Sequence, residues 1–78
     1  MSKAIDEIID FIASGTTPDR VAAFRPSDES KEEVADLLHK EKTVGLSPEE
    51  TANLNTYLQL EHIMRLAKAR AHQYLAHE

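Results

Sequence analysis

Four histidines, a scatter of carboxylates and one serine set between a glycine-leucine pair and a proline are the residues of this chain that could do chemistry. Metal ligation from a helix asks for side chains three or four residues apart, so that they converge on one ion. His72 and His77 are five apart, about 140° round a helix, and Glu61 and His62 are adjacent, so each pair diverges. His39 falls on the polar side of its segment. Neither a metal nor a cofactor is therefore expected. Nucleophilic or acid–base catalysis needs a nucleophile, a base and a cavity that excludes water. Ser47 stands where a helix cap is wanted, the carboxylates fall on solvated faces, and a few slender helices enclose little volume. The chain is not expected to be an enzyme.

The remaining chemistry is charge. A formal net charge of −5 conceals an asymmetry, with thirteen Asp/Glu against six Lys/Arg in residues 1–61, then Arg65, Lys68 and Arg70 with no acid in residues 62–77. The bulk field repels nucleic acid and anionic membranes, so only the C-terminal cations could act otherwise. The Gly45 turn between two helical segments superficially resembles a helix-turn-helix. Its second helix, however, would lead with Pro48, Glu49 and Glu50, the wrong sign for a polyanion. Cations near a helix C-terminus are also the ordinary complement of its dipole. Nucleic-acid binding through that cationic end is accordingly the alternative reading, and protein binding the first. The chain has no cysteine, which excludes disulfides and fits a reducing interior. Asp6 and Glu7 interrupt any signal-peptide core, and no run is long and apolar enough to span a bilayer. A cytoplasmic location and no membrane association are expected.

The elements that position these groups are all helical, and an all-α single domain over residues 1–78 is expected. Ile5, Ile8, Ile9 and Ile12, with Ala4 and Phe11 beside them, recur at helical spacing from Lys3 to Ala13, with Ser2 as cap and Ser14-Gly15 as the stop. Thr17-Pro18-Asp19 opens one or two helical turns in a connector that Val21 and Phe24 pin to the core, before Pro26 ends the run. Ser27, preferred to Ser30 as the cap, opens the next helix, whose narrow stripe of Val34, Leu37, Leu38 and Val44 is expected to hold it. Asp36 and Lys40 form an i,i+4 pair there. Gly45-Leu46-Ser47-Pro48-Glu49-Glu50 is the strongest local signal: glycine closes one helix, Ser47 caps the next, Pro48 takes its first position and Glu50 completes a capping box. So short a turn makes its two helices neighbours.

From Ser47 the chain reads as one helix to about His77. Tyr57, Leu60, Met64, Ala67, Ala71 and Tyr74 fall on one seam with coiled-coil spacing. Between Leu58 and Leu66 the apolar residues point nearly all round the axis, as in a helix covered on more than one side. About 30 residues at ~1.5 Å each make a spine of ~45 Å, longer than either partner helix. The seam is either simply the core of the monomer or, on the sharper reading, belongs to a helix with one side packed inside the monomer and the other facing a second chain. A homodimer along this third main helix is expected. Glu61, Arg65, Lys68 and His72 form a stripe beside the seam, and an antiparallel pair would bring Glu61 to Lys68 of the second chain. The alternative for Glu61 is an intrahelical pair with Arg65.

Phe24-Arg25-Pro26-Ser27, Glu41-Lys42 with Gly45-Leu46-Ser47-Pro48-Glu49-Glu50, and Leu60 through Ala71 together resemble a group of small bacterial all-helical proteins. The likeness covers nearly the whole chain. It implies a fold and no activity, and it permits an antitoxin-like or other regulatory role beside a protein partner. The expected site is thus an interaction surface, formed by Tyr57, Leu60, Glu61, Met64, Arg65, Ala67, Lys68, Ala71 and Tyr74.

Overall fold

The computed structural model describes residues 3–77, and among them every regular element is a helix. They are α1 (Lys3–Ala13), α2 (Pro18–Ala23), α3 (Asp28–Thr43) and α4 (Pro48–Ala76). The expected Ser2 cap lies outside the described residues. Both glycines occupy the left-handed region, Gly15 at φ 80° and Gly45 at φ 85°, just past the ends of α1 and α3. A side chain there would be strained, so each helix stops where the sequence places its glycine.

Caps fix the other ends. Ser27 accepts from the Ser30 amide at the start of α3, and Ser47 accepts from the Glu50 amide at 3.1 Å while Glu50 accepts from the Ser47 amide at 2.9 Å. The capping box expected at Ser47 is therefore complete. Two further caps join α1 to α3. The Lys3 amide, in the first turn of α1, donates to Glu33 at 3.1 Å, and the Ser27 amide donates to Glu7 at 3.0 Å. The Ser27 hydroxyl also donates to Glu7, which holds that carboxyl below its usual range. Ser30 is buried beneath this junction.

The core is small: Ala4, Ile5 and Ile8 of α1 meet Leu54, Met64 and Ala71 of α4. α2 packs on the C-terminal half of α4, where Pro18 and Val21 share a depression with Ala67 and Ala71. Val21 and Phe24 are half-buried, and the Phe24 ring lies 4.6 Å from that of Phe11, so the connector is pinned as expected. α3 departs from the sequence reading. Its only buried residue is Ser30; Val34 and Leu37 are half-buried, and Val44 is 80% exposed. Caps and ion pairs, Lys3–Glu29 and Lys40–Glu50, also tie its two ends to α1 and α4. Lys40 pairs at 2.7 Å with Glu50 across the turn, in place of the expected Asp36.

The molecule is a rod of 50 × 21 × 20 Å with a radius of gyration of 14.3 Å, against about 11.5 Å for a compact domain of this length. No described helix is long and apolar enough to cross a membrane.

Candidate functional site

α4 presents two different sides. The side toward α1 and α2 carries most of the expected seam: Met64 is 6% and Ala71 4% exposed, Tyr57, Leu60 and Ala67 are half-buried, and Tyr74 is 61% exposed. Met64 lies against Ile8 and Phe24. The expectation that this seam faces a second chain is thus corrected for its inner members, which the monomer covers itself. The reason is that α2, only six residues long, lies along α4 instead of merely bridging to α1, and so occupies the seam's C-terminal half.

The charged stripe belongs to the same side. Glu61, Arg65 and Lys68 line a groove with Ile8, Phe24 and Met64, so a Glu61–Lys68 contact between two chains would fall where the monomer has already packed. Glu61 takes Arg65 as its i,i+4 partner at 3.8 Å, the intrahelical alternative. Both side chains are substantially solvated, and such a pair contributes a few tenths of a kcal/mol at most.

The opposite side of α4 is bare and apolar at its centre. Ile63 is 54% and Leu66 59% exposed, about 60° apart on the helix and turned away from the core direction set by Leu54, Met64 and Ala71. On the same outward half stand Ala52, Asn55, Thr56, Gln59 and His62, all exposed and none of them a carboxylate, lysine or arginine. Glu49 bounds this stripe at its N-terminal end and Arg70 at its C-terminal end, both exposed. In a chain with 29% charged residues, about 22 Å of helix surface therefore carries no Asp, Glu, Lys or Arg. Charge depletion round an apolar centre is the composition of an interface core. Ile63 and Leu66 were read from the sequence as part of an all-round apolar stretch. Asking which side of the helix lacks charge would have singled them out.

The groove on the covered side is a recess of about 180 Å³ among α1, α4 and the connector between α2 and α3. Lys68 is partly buried beside it. Burial, reinforced by the nearby Arg25 charge, lowers its pKa from the ordinary lysine value. Among the described residues no carboxylate pairs with Arg25 or Lys68. Tyr57, on the groove's other wall, has its pKa raised by burial and by Glu61 and Glu7. Arg25 was not among the expected site residues; its charge acts on Lys68 from the connector between α2 and α3.

The cationic end of α4 is dispersed. Lys68 and Arg70 project about 160° apart, the first toward the groove and the second outward, while Arg65 is paired with Glu61. All four histidines are exposed, and among the described residues no three His, Asp or Glu side chains gather as metal ligands would. No family model, no curated protein and no solved structure matches this chain.

Proposed function

We propose that the chain is a protein–protein interaction module that self-associates through the outward side of α4, two copies lying antiparallel. The observation that carries this reading is the outward stripe from Ala52 to Leu66, free of Asp, Glu, Lys and Arg, with exposed Ile63 and Leu66 in its C-terminal part. Surface area supports it. The chain exposes 5513 Å², about 700 Å² more than the ~4,800 Å² usual for a monomer of its mass, and a standard interface buries roughly 800 Å² per partner. A second copy laid along the rod brings the exposed area back to the usual scale.

Charge at the stripe's ends supports the antiparallel direction. Glu49 and Arg70 bound it, so an antiparallel pair centred between them brings each glutamate toward the partner's arginine, while a parallel pair sets like beside like. The assembly is a symmetric two-fold dimer, as most soluble oligomers are. Light scattering across micromolar concentrations tests the reading. A mass moving toward twice 8.8 kDa is expected, and a monomer mass throughout rejects it.

A further inference from the structure

We propose that the groove between α1, the connector at residues 24–26 and α4 docks a segment of a different protein, one presenting a single apolar side chain flanked by carboxylates. The groove lies on the side of α4 opposite the self-association stripe, so both surfaces can be occupied at once.

Its size sets the first part of the ligand. About 180 Å³ is below the roughly 300 Å³ at which pockets begin to hold whole small molecules, and is of the scale of one anchoring side chain. Ile8, Phe24, Pro26, Tyr57 and Met64 make its walls apolar. A buried aliphatic or aromatic anchor in such a pocket is how a short segment gains most of its affinity.

Its rim sets the second part. Lys68 lines the groove without a carboxylate partner among the described residues, in a chain whose net charge is −5, and the Arg25 charge acts on it from the connector. Arg65 adds a third cation, held only loosely by Glu61 at 3.8 Å. The other nearby acid, Glu7, is engaged by the Ser27 amide and hydroxyl. Lys68 and Arg65 are like charges on one rim of an apolar groove, and an anion between them relieves their repulsion. A carboxylate within a turn of the apolar anchor supplies that anion, whereas a basic or neutral segment leaves the repulsion in place.

Selection of random peptides displayed on phage against the immobilised full chain tests this. Enriched peptides are expected to share an aliphatic or aromatic residue with Asp or Glu within a turn of it. A synthetic copy of one should shift the amide resonances of Phe24, Tyr57 and Met64. Its binding should weaken about tenfold or more on Lys68→Glu and on Arg25→Glu, and should fall with added salt. Unchanged circular dichroism of both variants establishes that they fold. No enrichment, enrichment of basic or uncharged peptides, or binding indifferent to both reversals overturns the proposal. Weakened self-association of Lys68→Glu also overturns it, because the groove's occupant would then be a second copy.

Discussion

Ser47 accepts from the Glu50 amide, and the Glu50 carboxylate accepts from the Ser47 amide while holding Lys40 at 2.7 Å. Removing the hydroxyl leaves the first turn of α4 without its side-chain acceptor. Ser47→Ala is therefore expected to cost about 1 kcal/mol in urea unfolding without loss of the fold. Lys40 and the Ser47 amide together lower the Glu50 pKa to about 2, from the 4.5 of a free glutamate. A depressed carboxylate stabilises the fold above its unfolded pKa, and that contribution is lost as pH falls from 4.5 toward 2. Glu50→Gln keeps an acceptor for the Ser47 amide and removes the charge. The variant should melt below the wild type at neutral pH, with the gap closing as pH is lowered through that window. The capping box was legible from six consecutive residues because caps are local chemistry. The Lys40–Glu50 pair and the Glu7–Ser27 junction were not, since each joins residues that only the finished packing brings together.

At the scale of elements, boundaries were legible and faces were not. Glycine, proline and serine mark where α1, α3 and α4 start or stop whatever lies around them. In α4, with Leu58, Leu60, Ile63, Met64 and Leu66 pointing nearly all round, periodicity does not say which side the monomer covers. That was decided by how α2 lies, which no local pattern records. Met64, expected at a dimer interface, is a core residue, so Met64→Ala should lower unfolding free energy by about 2–5 kcal/mol. The direction of self-association is tested on the ends of the stripe. Arg70→Glu should weaken the dimer by placing Glu49 beside a second carboxylate, and adding Glu49→Arg should restore it. A double reversal that recovers nothing would reject the antiparallel arrangement.

The whole molecule is a thin rod because one helix of 29 residues is longer than anything folded against it. Six apolar residues are buried among the described residues, while Ile63, Leu66 and Tyr74 stand in solvent on the spine. Small domains with so little core gain stability by association. The most direct test is the mass and helicity of Leu66→Arg beside the wild type at the same micromolar concentration. Leu66 is 59% exposed, so arginine there disturbs nothing inside the monomer, but in the paired stripe it would be a desolvated charge. A dimeric wild type and a monomeric Leu66→Arg of unchanged helicity are the expected result. A Leu66→Arg protein that remains dimeric, or a wild type that is monomeric under the same conditions, would contradict self-association through this side of α4.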